Sequence, residues 1–168
     1  MTGTHSFLTI GAMALLALVS LRFNATLLEN RTTEIENKIY LTAFSLADDL
    51  IEEIKQKAFD EQTVEWRAIT ADKLTPYGSF GPIDLDENSV LDFDDIDDYH
   101  GYQKSVSLPH VENYSVMSTV DYVSATDPDV TSSVQTFFKR ITVRVTSPYL
   151  SHPVRLSFVF TLHSKWGK

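Results

Sequence analysis

The sequence predicts an α+β fold: a long N-terminal helix, apolar over its first third, packed through its second part on a four-stranded antiparallel sheet. Three observations predict it. An uncharged apolar run from Phe7 to Leu21 (FLTIGAMALLALVSL) continues without a proline into a helix-favouring stretch that ends near Phe59. From Leu27 to Ala58 the apolar residues recur at spacings of three, four and seven, the signature of one helix face. After Gly101 four segments rich in Val, Ile, Thr, Phe and Tyr alternate with period two.

Length and charge set the bounds. The chain has 168 residues, and about 110 remain once the helix is set aside, enough for one compact head. Its 14 Lys and Arg against 23 Asp and Glu give a net charge of -9, which argues against a nucleic-acid binder that tracks phosphates. There is no cysteine, so a disulfide framework, a thiolate metal site and a cysteine nucleophile are excluded.

Three segments follow: residues 1–6 as a short leader or tail, 7–23 as a membrane or filament-core helix, and 24–168 as an amphipathic helix plus globular head. A helix of about 52 residues at roughly 1.5 Å each is some 78 Å long, more than the width of a small domain. Its first part must therefore enter a membrane, a filament core or another subunit. Leu8, Ile10, Met13, Leu15, Leu16, Leu18, Val19 and Leu21 cover every side, unlike a soluble core helix. The run from Phe7 is shorter than the roughly 17 to 25 residues of an ordinary span, but Arg22 can snorkel and Phe23 can sit at the interface. MTGTHS carries no Lys or Arg, which disfavours an ordinary signal peptide.

Farther along, Leu27, Leu28, Ile35, Ile39, Ala43, Leu46, Leu50, Ile54 and Ala58 share a face, and most of the charges lie opposite. Thr32 and Thr42 interrupt a coiled-coil seam, so the expected partner of this face is a sheet of the same chain. Residues 64–71 (VEWRAITA) read as a short strand or edge segment, and residues 75–82 (TPYGSFGP) as a loop. Strands are expected at 102–108, 114–123, 136–147 and 155–163. In the last, Leu156, Phe158, Phe160 and Leu162 share one side. Short connections make the sheet an antiparallel meander, and the helix is the available cover for its apolar face.

Phe7-Leu8-Thr9-Ile10 with the run to Leu21, and the segment Asp94-Asp95-Ile96-Asp97-Asp98-Tyr99-His100-Gly101-Tyr102, carry a family resemblance. The first resembles the apolar segment of type IV pilins and type II secretion pseudopilins. The second is similar to the Asp-rich stretch of minor pilins of the mannose-sensitive haemagglutinin type. The resemblance implies a structural, non-enzymatic subunit of a pilus-like or pseudopilus filament. Such a subunit sits as a single pass in the bacterial inner membrane, then assembles into an extracellular or periplasmic filament. Its implied partners are the membrane and other pilin-like subunits, met through the N-terminal helix, and not nucleic acid. Cleavage after Gly3 would make Leu8 the fifth residue, where the family carries Glu, which points to a minor or divergent subunit. The alternative is a single-pass anchored binding domain that never polymerises.

The acidic run from Asp84 to Asp98 has two readings. Asp84, Asp86, Asn88 and Asp92 fall at positions one, three, five and nine of a calcium loop, with the Val90 carbonyl at seven and Asp95 at twelve. Ser89 in place of glycine and Asp95 in place of glutamate depart from that pattern. The same run also suits a solvated acidic loop in which Asp caps turns. Tyr99 to Tyr102 form a turn into the first strand, with Gly101 at positive φ and the tyrosine hydroxyls wet. No nucleophile, oxyanion site or second base accompanies His100, and no catalytic or cofactor-binding residue is expected.

Overall fold

The computed structural model describes residues 2–64, 70–82, 89–108 and 111–162. Helix α1 runs from Thr2 to Ile54. It thus starts within the expected leader, because nothing in residues 2–6 forbids helical backbone. A short α2 (Glu61–Val64) and a 3-10 turn at Ala71–Lys73 follow. Four strands then complete the chain: β1 (Gln103–Leu108), β2 (Val111–Tyr122), β3 (Phe138–Thr146) and β4 (Val154–Thr161). They form one antiparallel meander in the order β1-β2-β3-β4, and α1 packs against it.

The chain divides into two compact units, Met1–Ile39 and Tyr40–Lys168. In the first, the apolar side chains are exposed, Phe7, Leu16 and Leu21 among them. Leu27, Leu28 and Ile35, expected on a covered face, are exposed too. The helical periodicity there is real, but it is not accompanied by burial. Thr26, Thr32 and Thr33 turn their hydroxyls back onto the carbonyls of Arg22, Leu28 and Glu29 at 3.0–3.1 Å, satisfying themselves within the helix.

In the second unit the helix is covered. Ala43, Ala47, Leu50, Ile51 and Ile54 are buried, as are the inward positions Tyr114, Val116, Val120 and Tyr122 of β2 and Ile141, Val143 and Val145 of β3. Ala43, Ala47, Leu50 and Ile54 are all fully buried, so this face of the helix is part of the core. Tyr40 reaches the Ser151 hydroxyl at 2.6 Å, tying the helix to the β3–β4 connection. Lys55 lies over the Phe158 ring at 4.3 Å from its centroid. As an edge strand, β4 buries its apolar side only partly, and Phe158 remains 37% exposed.

The expected strand over residues 64–71 is not seen where the chain is described: Val64 closes α2 and Ala71 opens the 3-10 turn. Residues 65–69 lie outside the described residues.

Candidate functional site

β1 pairs with β2 only as far as the Gln103–Met117 partnership, so the second half of β2 needs other partners on that side. The segment Asp94 to Tyr102 supplies them. Gly101, at φ 78, donates its N–H to the Ser118 carbonyl at 3.0 Å, and the Ser118 N–H returns to the Tyr102 carbonyl at 3.0 Å. His100 continues the ladder with its ring: Nδ1 lies 2.8 Å from the Val120 carbonyl and 3.1 Å from its N–H. On the other side, the segment bridges to the chain after α1. Ala58 donates to the Asp94 carbonyl at 2.9 Å and Ile96 to the Ala58 carbonyl at 3.0 Å.

The aspartates of this segment are divided between two tasks. Asp95 Oδ1 accepts the N–H groups of Asp97 and Asp98 at 2.6 and 3.1 Å. Asp98 Oδ2 accepts those of Asp94 and Asp95 at 3.1 and 3.2 Å. These reciprocal bonds close the turn that carries the 3-10 helix Asp97–Tyr99. Asp97 instead points inward, 2.7 Å from Lys139 Nζ.

Lys139 sits at the centre of the head and is fully buried. Its ammonium donates to Asp60 Oδ2 at 2.6 Å, to Asp97 at 2.7 Å and to the Phe59 carbonyl at 2.9 Å. Three donors thus meet three acceptors. The rings of Phe59, Tyr122 and Phe80 stand 4.7, 5.2 and 5.5 Å from the charge, close enough for cation–π attraction. Asp60 is held in turn by the Thr75 N–H and hydroxyl, the Gln62 N–H and the Tyr122 hydroxyl, each at 3.1 Å. The arrangement binds three distant pieces of chain: the exit from α1, the acidic segment and β3.

Burial acts on all three carboxyls but is not equally opposed. For Asp60, burial pushes the pKa up, yet the Lys139 charge and the hydrogen bonds outweigh it and hold the group below its ordinary value. For Asp97 burial prevails over Lys139, with a pKa of about 7. Asp95 is raised to about 8 by burial and by the charges of Asp97 and Asp98, and its Oδ2 has no hydrogen-bond partner among the described residues. Among the described residues the buried carboxyls outnumber the buried cation, an imbalance that favours the protonated form of Asp95 and Asp97.

The residues of the expected calcium loop fall only in part within the described residues. Asp84, Asp86 and Asn88 lie outside the described residues, Val90 is half-buried and Asp92 exposed on one turn, and Asp95 is buried. The carboxylate expected as twelfth ligand is engaged, through Oδ1, by backbone N–H groups. No group of three acidic or histidine side chains is placed to hold a metal among the described residues. The reading of the tyrosine turn is corrected in one respect. Gly101 has the expected positive φ, but Tyr99 is fully buried, with its hydroxyl on Glu53 Oε1 at 2.9 Å rather than in water. Burial and the Glu53 charge raise its pKa.

Sequence reading missed Lys139 and Asp60. A signal for Lys139 was present: it shares strand parity with Ile141, Val143 and Val145, the inward positions of β3. Asp60 had none, because its partner lies 79 residues away. Neither a known protein family, nor a curated protein, nor a solved structure matches the chain.

Proposed function

We propose that the chain is a structural subunit of a pilus-like or pseudopilus filament, held in the inner membrane by the first part of α1 before assembly. One observation carries this reading. Helix α1 is long and apolar enough to cross a membrane, with a window of mean hydropathy 1.7 of which none is buried. Exposed apolar surface of this size requires lipid or other apolar helices. In the membrane, lipid covers it; in a filament, neighbouring copies of the same helix would replace lipid around Leu8, Met13, Leu16 and Val19. The head supports the reading in a second way: its ion-paired centre is a means of positioning chain segments.

The test is Leu15→Asp, which places a carboxylate within the apolar run at an insertion cost of about 2.5 to 3.5 kcal/mol. Membrane retention and the yield of sheared surface filaments should both fall. Retention and filament yield equal to the parent would sink the proposal. A parent chain that is retained but never found in filaments would instead establish the single-pass anchored domain.

A further inference from the structure

Two carboxyl groups flank Lys139, and they are not equivalent. Besides the ammonium, Asp60 accepts hydrogen bonds from the Thr75 N–H and hydroxyl, the Gln62 N–H and the Tyr122 hydroxyl, donors that hold it as a carboxylate. Asp97 meets the ammonium with both oxygens, each 2.7 Å from Nζ, and its Oδ1 has no hydrogen-bond partner among the described residues. A nitrogen so close to both oxygens of one carboxyl group stands within roughly 3 Å of its carbon, the separation of a near-attack contact. We propose that Lys139 Nζ and the Asp97 carboxyl condense inside the folded head to an amide, which cross-links β3 to the acidic segment. The ion-paired head is the chain as it first folds. The proposal does not depend on the filament reading, because it uses only residues of the head.

The step balances within the ion pair. The ammonium first passes one proton to an Asp97 oxygen, leaving a neutral amine beside a carboxylic acid. The Nζ lone pair then attacks Cγ, and the N–C bond forms. Asp60, with Oδ2 2.6 Å from Nζ, takes a second proton from the nitrogen and returns it to the hydroxyl on Cγ. That hydroxyl leaves as water, its C–O bond breaks, and Asp60 is a carboxylate again. Two of the three ammonium protons and one Asp97 oxygen thus depart as a single water, and no oxidant, reductant or activated carrier is required. The N–H that remains on the amide keeps Asp60 as its acceptor.

The surroundings favour the amide over the pair. Lys139, Asp60 and Asp97 are all buried, and the rings of Phe59, Tyr122 and Phe80 lie around the nitrogen, so the water that would hydrolyse the product has little access. A buried ion pair carries the desolvation cost of two charges, which a neutral amide does not. Folding has already brought the reacting groups together, so the encounter adds no further entropic cost. The chain has no cysteine and therefore no disulfide to tie distant segments. The amide would close a loop of 42 residues and remove its freedom from the unfolded chain.

The experiment is the intact mass of the full-length chain, purified in non-ionic micelles and denatured before electrospray. The parent should weigh one water less than its sequence. Trypsin should then fail to cut after Lys139, and tandem mass spectrometry should find the peptide that holds Asp97 joined to the one that holds Lys139. Lys139→Arg, which keeps the charge, and Asp97→Ala should each show the full mass of its sequence. Asp60→Asn keeps both reacting groups but removes the proton carrier, and should slow linkage after refolding by roughly a hundredfold, the scale of one general acid–base group. The parent's mass needs no variant, so it decides the matter even where a variant fails to fold. A folded parent at its full sequence mass would overturn the proposal. So would a water loss that persists in Lys139→Arg, one that maps to a succinimide or to Asp60 in place of Asp97, or linkage at the parent's rate in a folded Asp60→Asn chain.

Discussion

The two units of the chain invert the usual arrangement in opposite ways. The first exposes Phe7, Leu8, Ile10, Leu15 and Leu16, while the second buries Asp60, Asp95, Asp97 and Lys139. Exposed apolar surface is an unfinished interface, stable only once something covers it. Buried charge is a closed one: Lys139, Asp60 and Asp97 have been taken from water and set against specific partners. The difference teaches that these units need different perturbations. A charge introduced into the first damages its association, whereas a charge removed from the second damages its fold.

The largest effect is expected from Lys139→Ala. It removes the one cation that, among the described residues, lies within hydrogen-bond reach of Asp60 and Asp97 and should cost the head about 3–5 kcal/mol, as breaking a buried pair does. Adding Asp97→Asn to that variant should restore part of the loss, because one stranded charge is gone. Urea unfolding of the full chain in micelles, monitored by near-UV circular dichroism, checks both. If Lys139→Ala melts with the parent, the centre of the head is not held by charge.

Leu50→Ala sharpens the comparison from the apolar side. Leu50 is fully buried, and its truncation should cost about 2–5 kcal/mol, whereas Glu52→Ala, on the exposed side of α1, should stay within about 0.5 kcal/mol. The same change at Leu16, which is exposed, should leave the melting of the head unaltered. Equal losses at Leu50 and Leu16 would remove the distinction between the units.

A smaller effect is expected from pH. The unfolded aspartates titrate near 3.8, whereas folded Asp97 and Asp95 titrate near 7 and 8. Between those limits the folded head retains protons that the unfolded chain has released. Their contribution is complete below pH 3.8 and is lost as pH rises through 7 and 8. Asp60 has the opposite sign, since its lowered pKa gives stability that is lost only in stronger acid. The head should therefore be more stable at pH 5 than at pH 8.5, by about 1 kcal/mol or more, the equivalent of one pK unit. In Asp95→Asn the dependence should flatten; a stability that rises from pH 5 to 8.5 in the parent would contradict the direction of both shifts.

How much of this was legible in the sequence depended on the range of the interaction. Period-two alternation identified all four strands to within two or three residues at each end, because side-chain parity along a strand is local information. The helix was legible as a helix, but where its cover begins was not. Leu27, Leu28 and Ile35 carry the same spacing as Ala43, Leu50 and Ile54, yet the first three are exposed and the last three buried. Only the end of the acidic run departs from the solvated reading, for a physical reason: a run so dense in like charge is expected in water, yet Asp95 and Asp98 are consumed by their own turn and Asp97 by a lysine 42 residues away. The parity of Lys139 was the available clue, and reading it would have required asking what acid could accompany a lysine inward.

The ladder that His100, Gly101 and Tyr102 make along β2 has a consequence for colony-scale amounts of protein as well as for one molecule. From Ser118 to Val120 those residues occupy backbone groups that would otherwise be a ready template for a foreign strand. If the turn loosens, as it would in Gly101→Val, which forces a branched side chain into positive φ, the first result should be stickiness rather than denaturation. Chains would then zip edge to edge into insoluble aggregates while their helices and most of their sheets remain intact.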